Sequence, residues 1–142
     1  MDASLKLAEG VGKSGGRRFI GGGTCAEYDT GSLMLAESGP VRPRSMYAAT
    51  KLAAYMVLSE WLKSAGIRFS WLRFFYPYGP HEDPRRLVPS VIRALLRSEE
   101  VSVRNGKSVR DFIHAEDVAG AVWAVLNSEV IGAVNIGSGQ PV

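Results

Sequence analysis

Two side chains of this sequence, Tyr47 and Lys51, have the types and the spacing of a proton-transfer pair. They stand four residues apart at the start of a long apolar stretch, and in a helix that spacing puts them on one face, one turn apart. A free tyrosine hydroxyl, with a pKa of about 10, is a poor acid or base at neutral pH. A lysine ammonium fixed beside a tyrosine stabilises the phenolate and makes the hydroxyl a stronger acid. Because the pattern is short, a helix with one aromatic residue and one solvated lysine is the alternative interpretation.

A second hydroxyl group comes at the end of a glycine-rich strand. Residues 17–20 predict a strand, and the glycines at 21–23 would let a ligand approach the backbone closely. Thr24 then stands at the carboxyl end of a predicted parallel strand, where α/β sheets bind their ligands, although a simple turn hydroxyl is the alternative. Cys25 follows it. Since no histidine is near in sequence, we interpret Cys25 as a packed thiol rather than a nucleophile.

The remaining pattern alternates helices and strands, which predicts an α/β fold with a mostly parallel sheet. Ser45 is a good N-cap for the helix that carries Tyr47, and Gly66 ends that helix. The helix has more apolar residues than one face can hold, so we expect the sheet to cover one side and a partner subunit another. The other predictions are a helix ending near Val11, a loop at 29–44, strands at 67–75, 101–103 and 109–113, turns at 76–80 and 105–106, helices at 87–97 and from 116 onward, and a short strand running into a glycine turn at 133–139.

Two further patterns predict no site. Residues 10–15 match Gly-x-Gly-x-x-Gly, but a dinucleotide fingerprint follows a strand and opens a helix, whereas here a helix precedes the glycines and a strand follows them. We expect these glycines to end the helix and turn the chain. His81, Glu82 and Asp83 are consecutive in a loop, and consecutive residues rarely converge on one ion, so we predict no metal site.

Length and composition indicate one globular domain. The chain has 142 residues, 46% of them hydrophobic and 22% charged, which is enough for one core. One cysteine allows no internal disulfide, and neither a signal pattern nor a membrane-spanning run is recognisable, so we expect a cytoplasmic protein with no membrane partner. The formal charge is +3 and many of the cations are arginines, whose planar fork suits phosphate. A scattered solubilising surface is the alternative, and no nucleic-acid motif accompanies the arginines.

Four segments in this order resemble the extended short-chain dehydrogenase/reductase family, the NAD-dependent epimerases and dehydratases of nucleotide sugars. They are Gly-Gly-Thr-Cys-Ala-Glu-Tyr at 22–28, Tyr-x-x-x-Lys at 47–51, Arg-Phe-Phe-Tyr-Pro-Tyr-Gly-Pro at 73–80, and Arg-Asp-Phe-Ile-His at 110–114 leading to Asp-Val at 117–118. Asn-Ile-Gly-Ser-Gly at 135–139 supports them. Each motif is weak alone, but together they are specific, and they cover nearly the whole chain.

The resemblance implies a role for each matching residue. Thr24 would hydrogen-bond the reacting sugar oxygen, and Tyr47 would be the general acid/base that takes or returns the hydroxyl proton. Lys51 would hold the nicotinamide ribose and favour the phenolate. Phe75, together with Thr24, Tyr47 and Lys51, would contact the nicotinamide end of NAD or NADP. His114 matches the strand-to-helix junction and is interpreted as structural.

The implied substrate contacts come from the same motifs. Arg110 would grip the diphosphate of a nucleotide sugar, and Thr24 and Tyr76 would contact the sugar. Tyr76 stands where many family members have an asparagine. Cys25 and Ala26 stand where the dehydratases of the family carry an acidic pair, so the resemblance favours an epimerase or a ketoreductase.

The resemblance also predicts how the chain is organised. Residues 1–142 would form the carboxyl-side part of a Rossmann-like NAD(P)-binding domain, lacking the amino-terminal glycine-rich βαβ unit, with part of the substrate-binding region at about 76–142. Such a portion is expected to be inactive alone and to expose the edge of a strand that is central in the family. A non-catalytic remnant that acts as a protein-interaction module is the alternative. A homodimer through the helix at 45–65 is a further expectation.

Overall fold

A computed structural model describes residues 2–31, 34–103 and 105–142 of the chain as an α/β structure. Four α-helices, five short strands and one 3₁₀ turn alternate along these residues. In chain order they are α1 (Asp2–Lys13), β1 (Arg18–Thr24), the 3₁₀ turn (Cys25–Glu27), α2 (Met46–Ser64), β2 (Arg68–Phe74), β3 (Pro77–Tyr78), α3 (Leu87–Leu96), β4 (Ile113–His114), α4 (Ala115–Leu126) and β5 (Gly132–Ile136).

The main sheet has three parallel strands in the order β1-β2-β5. Five consecutive residues of β2 are buried, as expected for a central strand covered on both faces. β1 pairs with β2 along its full length from Arg18 to Thr24, so the carboxyl ends of the two strands lie side by side. This arrangement confirms the predicted α/β class with a mostly parallel sheet.

Helices cover both faces of the sheet and bury two apolar clusters. α1 and α2 pack on one face, where the buried residues are Ala8, Phe19, Leu58, Leu62, Ile67, Phe69 and Trp71. α4 packs on the other face, where the buried residues are Leu72, Ile113, Val125 and Ile136. None of the helices in the described part of the chain is long and apolar enough to cross a membrane.

The boundaries of α2 follow the predicted signals. The Ser45 hydroxyl accepts a hydrogen bond from the Ala48 amide at 3.1 Å, which is the expected N-cap. At the other end, Gly66 takes a left-handed φ of +69°, a conformation that glycine adopts without steric cost. One face of α2 packs on the sheet, whereas Met46 and Met56 on its outer side are exposed. The expectation of a partner subunit on that side stays a prediction.

The region that connects α2 to β5 departs from three predictions. Residues 101–103 form no strand. Of the strand predicted at 109–113 only Ile113 belongs to a strand, β4, which consists of Ile113 and His114. Arg110 instead exchanges two backbone hydrogen bonds with Val142, at 2.8 and 2.9 Å. The predicted turn at 76–80 contains β3, which pairs in parallel with β4. These short pairings depend on which segments meet in space, a property that local hydrophobic patterns do not carry.

The other predicted elements agree with the structure. Helices end at Lys13 and Leu96 and begin at Ala115, and residues 105–107 form a turn. The Gly-x-Gly-x-x-Gly match begins inside α1 and is followed by the strand β1, which is the reverse of a dinucleotide fingerprint.

Gly23→Ala is expected to destabilise the fold. A Cβ at position 23 would overlap the Trp71 indole nitrogen and come 2.6 Å from Glu27 Oε1. Overpacking of this kind costs about 1–3 kcal/mol in the free energy of unfolding, measured by urea denaturation. Gly10→Ala is the control, because no atom lies within 4 Å of its added Cβ in helix α1, and it should stabilise by about 1 kcal/mol. Equal stability of the two variants would contradict the packing described here.

Candidate active site

Thr24 ends β1 and caps the 3₁₀ turn that follows it. Its hydroxyl oxygen accepts a hydrogen bond from the Ala26 amide at 3.3 Å. Its own amide donates to Glu27 Oε1 at 2.9 Å, so that the two residues form a reciprocal capping box. The turn therefore holds the Thr24 side chain at the carboxyl edge of the sheet, where the sequence predicts it.

Glu27 lies below this turn with none of its surface exposed. Its carboxylate accepts from Arg73 Nε at 2.9 Å and from the Trp71 indole at 3.0 and 3.1 Å. A buried carboxylate is costly unless its oxygens are paired, and here charge-assisted and neutral donors from two strands satisfy them. Sequence analysis assigned no role to Glu27 or to Arg73. The available signal was an arginine next to Trp71 and Leu72 in the buried part of β2, because a buried arginine requires an anionic partner.

Aromatic rings enclose the Arg73 guanidinium. Its central carbon lies 4.4 Å from the Tyr28 ring centre and 5.4 Å from that of Tyr55. Burial disfavours the cation, but hydrogen bonds to Tyr28 and Glu27 outweigh it and raise the pKa of Arg73 above its ordinary value. Burial likewise raises the pKa of Tyr28, whose hydroxyl donates to Asn135 Oδ1 at 2.7 Å. The charged pair thereby ties β1 and β2 to the turn, and Tyr28 adds a contact to Asn135 of β5.

Lys51 docks α2 against the end of β1. Its ammonium donates to the Gly22 carbonyl at 2.8 Å, two residues before the end of the strand. The same ammonium lies 6.0 Å from the centre of the Tyr47 ring, as the spacing of the two residues predicts. Tyr47 is 58% exposed at the surface of the described chain.

The direction of α2 places Tyr47 relative to Thr24. One turn beyond the lysine, the Tyr55 ring lies 5.8 Å from Trp71, which pairs with Gly21 in β1. α2 therefore runs opposite to β1, so that its amino-terminal end, which carries Tyr47, points toward the carboxyl end of β1, which carries Thr24. In agreement, α2 contacts the 3₁₀ turn that follows Thr24.

Phe75, Tyr76 and Arg110 lie where β2 leaves the sheet. The Phe75 amide donates to the Ile136 carbonyl at 2.9 Å, which fixes the chain as it turns away. The Arg110 guanidinium lies 4.9 Å from the Tyr76 ring centre, an arrangement in which cation and ring attract. Burial is the main cause of the raised pKa of the Tyr76 hydroxyl, and the nearby Cys25 adds to it. Cys25 thus lies between Thr24 and this second group.

An open cleft of about 170 Å³ adjoins the Tyr76–Arg110 pair. Its walls combine aromatic surface with two arginines, and its lining is Tyr76, Pro77, Tyr78, Glu82, Arg86, Leu87, Val88, Arg110 and Phe112. Guanidinium groups beside flat apolar surface can hold an anionic group next to an aromatic or sugar ring.

Two other predicted motifs have structural roles. The Asp111 carboxylate accepts from the Ser138 amide and hydroxyl at 2.7 and 2.6 Å, and from the Gly139 amide at 3.0 Å, so it fixes the glycine turn after β5. His114 caps α4, because its Nδ1 accepts from the Glu116 amide at 3.3 Å. In the described ranges no three histidine, cysteine or acidic side chains are grouped to hold a metal ion.

The fold and this edge of the sheet define a Rossmann-like α/β protein, and comparison with known proteins identifies its family. The model of the NAD dependent epimerase/dehydratase family matches residues 1–137, so the chain belongs to that family. A dTDP-glucose 4,6-dehydratase of Mycolicibacterium smegmatis is 33% identical over 97 residues, which are 68% of this chain and 29% of that protein.

Solved structures show the same fold. A UDP-N-acetylglucosamine 4-epimerase from Methanobrevibacter ruminantium, in complex with UDP-N-acetylmuramic acid, matches all of this chain with a TM-score of 0.90 and 29% identity. A UDP-glucuronic acid 4-epimerase from Bacillus cereus, in complex with UDP-glucuronic acid and NAD, matches 96% of it with a TM-score of 0.83 and 26% identity. The chain spans 48% and 45% of these two structures, or about half their length.

Cys25 should label slowly and only in alkali. Burial raises the pKa of its thiol above the ordinary 9.0, and it is the one cysteine of the sequence. The folded state favours the neutral thiol, so this contribution to stability is fully present below the ordinary pKa and is lost as pH rises through the higher folded pKa. The rate of labelling by a disulfide reagent, followed as a function of pH, measures the pKa of the thiol, with the urea-unfolded chain as the control. A labelling midpoint at or below the unfolded value would contradict the burial of this thiol.

Proposed function

We propose that this chain carries the catalytic groups of an NAD(P)-dependent nucleotide-sugar epimerase or ketoreductase. The observation that carries the proposal is the 2.8 Å hydrogen bond from Lys51 to the Gly22 carbonyl. This bond supports the proposal because it fixes α2 against β1, and the amino-terminal end of α2 points toward the carboxyl end of β1. In the proposed site, the Tyr47 phenol, the Lys51 ammonium and the Thr24 alcohol face one another at the edge of the sheet.

Each group has a separate chemical task in the proposed reaction. Tyr47 takes the proton from a sugar hydroxyl, or returns it to a keto group, as a general base or acid. The Lys51 charge stabilises the phenolate while the proton is away. The Thr24 hydroxyl donates a hydrogen bond to the sugar oxygen on which negative charge develops.

The residues present fit the nicotinamide end of a dinucleotide. A lysine ammonium has three N–H donors, and Lys51 gives one of them to Gly22, which leaves two for ribose hydroxyls. Phe75 is half-buried near Gly137 and offers a flat apolar surface at the same edge. NAD or NADP, when bound, supplies the acceptor and donor of hydride. NAD is named in the description of the family and in the complex of the Bacillus cereus epimerase.

The second group of residues fits the nucleotide-sugar substrate. Arg110, stacked on Tyr76, would hold the diphosphate with its planar fork, and Tyr76 would contact the sugar. Cys25 and Ala26 offer no carboxylates for a dehydration step, which favours epimerase or ketoreductase chemistry even though the relatives include a dehydratase. UDP-sugars are the substrate class to test first, because the two structural neighbours hold them.

We assign residues 1–142 to part of a Rossmann-like NAD(P)-binding domain, with part of the substrate-binding region at about 76–142. Because the chain spans about half of its structural neighbours, we expect these residues alone to bind NAD weakly and to be inactive. The exposed outer side of α2, including Met46 and Met56, would form the homodimer contact. A cytoplasmic location completes the proposal.

A protein-interaction module without catalysis is the second candidate. Two observations favour it: the outer side of α2 is apolar and exposed, and in the described residues β1 pairs with β2 alone, which leaves its other edge open. A chain that stays monomeric and soluble without a partner would count against this candidate.

Tyr47→Phe should abolish the reaction while leaving the fold intact, because it removes only an exposed hydroxyl. The test uses a chimera in which this chain replaces the matching half of the Methanobrevibacter ruminantium epimerase, assayed with UDP-sugars. We expect a loss in kcat of about 100- to 10,000-fold. Tyr55→Phe is the matched control, because it removes a hydroxyl from the same helix, keeps the ring and lies outside the lining of the cleft. A fully active Tyr47→Phe chimera would exclude the proposed mechanism, and tight NAD binding by the chain alone, measured by calorimetry, would contradict the expected inactivity.

Arg110→Lys should weaken the binding of UDP to the chain by about tenfold, because lysine keeps the charge but loses the planar fork. Titration of UDP measures the dissociation constant directly and needs no cofactor. Arg85→Lys is the matched control, since Arg85 pairs with Asp83 at the surface and lies outside the lining of the cleft. Equal affinity of both variants would show that Arg110 does not hold the diphosphate.

A further inference from the structure

The carboxylate of Glu27 connects the interior of the sheet to the hydroxyl at its edge. One oxygen, Oε1, accepts from the Thr24 amide at 2.9 Å, while the other, Oε2, accepts from Arg73 at 2.9 Å. The Trp71 indole bonds to both oxygens. Glu27 is fully buried and Arg73 is 2% exposed, so neither group exchanges these partners for water.

These contacts determine which hydrogen bonds of Thr24 remain free. Its amide is used by Glu27, and its hydroxyl oxygen accepts from the Ala26 amide at 3.3 Å. Accepting from the turn leaves the hydroxyl its proton and a second lone pair for other partners. The Cys25 thiol is in hydrogen-bond reach of the Thr24 side chain, and burial raises the pKa of that thiol, which keeps it neutral. The Thr24 proton is therefore available for donation to a ligand at this edge.

We propose that Glu27 is a positioning residue that fixes the Thr24 hydroxyl as a hydrogen-bond donor toward the reacting sugar oxygen. The proposal rests on the proposed function, because Thr24 has to be the hydroxyl that meets the substrate. Arg73 and Trp71 act through Glu27 by holding its carboxylate in place. A displacement of a catalytic hydroxyl by about 1 Å can cost about 100-fold in rate, so the rigidity of this anchor affects turnover directly.

Glu27→Asp separates positioning from charge. Aspartate keeps the negative charge that Arg73 needs, but its side chain is one methylene shorter and cannot reach both Arg73 and the Thr24 amide. Nuclear magnetic resonance of the chain itself reads the outcome without cofactor or turnover. We expect the resonance of the Thr24 amide to shift. Hydrogen exchange at this amide should accelerate by about tenfold more than exchange at the amides of β2. Glu27→Gln, which keeps an acceptor but places an amide N–H₂ opposite Arg73, is the second variant if aspartate prevents folding.

Glu129→Gln is the matched control. Glu129 also pairs with an arginine of β2, Arg68, but at the opposite end of the strand and at the surface. The Glu129→Gln substitution should leave the resonance and the hydrogen exchange of the Thr24 amide unchanged. If both Glu27 variants fold and change the Thr24 amide no more than every other amide, Glu27 has only a structural role and the proposal is wrong.

Kinetics of the chimera give the second readout. Glu27→Asp should lower kcat by about 100-fold with little change in KM, because the ground-state contacts of the substrate remain while the donor at the developing charge is displaced. A loss confined to KM would overturn the proposal. If no variant transfers hydride while the Thr24 amide responds as expected, the proposed function fails and the anchoring of Thr24 by Glu27 still stands.

Discussion

The ion pair between Glu27 and Arg73 is the interaction on which the edge of this sheet depends. It lies where β1, β2 and the 3₁₀ turn meet: the turn carries the carboxylate, and both strands donate hydrogen bonds to it. Breaking a buried pair by removing one partner leaves an uncompensated charge, at a cost of about 3–5 kcal/mol. A pair of this kind contributes little net stability compared with apolar packing, but it permits few alternative arrangements. The consequence is a turn with one geometry.

The glycines of β1 and the lysine of α2 follow from the same constraint. Position 23 has no room for a Cβ, because the Trp71 indole and Glu27 occupy that space. The backbone there is also close enough to α2 for Lys51 to bond the Gly22 carbonyl. A strand with larger side chains would hold the helix further away. The glycine-rich segment thus serves the close approach of a helix.

The main sheet, α2 with its Ser45 cap and Gly66 stop, and the positions of Tyr47, Lys51 and Thr24 on their elements could all be predicted, because each has a local signal. The β3–β4 pair and the Arg110–Val142 contact could not, since two-residue pairings depend on how distant segments meet. Glu27 was missed for a different reason. A glutamate in a short polar turn looks solvated, and only the need of Arg73 for a buried partner, 46 residues away in the chain, identifies its role.

The proposed reaction requires the Thr24 and Tyr47 hydroxyls to converge on one sugar atom. The most direct measurement of this convergence is a crystal structure of the chimera with NAD and a UDP-sugar. We expect both hydroxyl oxygens within about 3.2 Å of the same sugar oxygen, with the Lys51 ammonium between the ribose and the Gly22 carbonyl. A sugar bound elsewhere, or either hydroxyl turned away from it, would contradict the proposed mechanism.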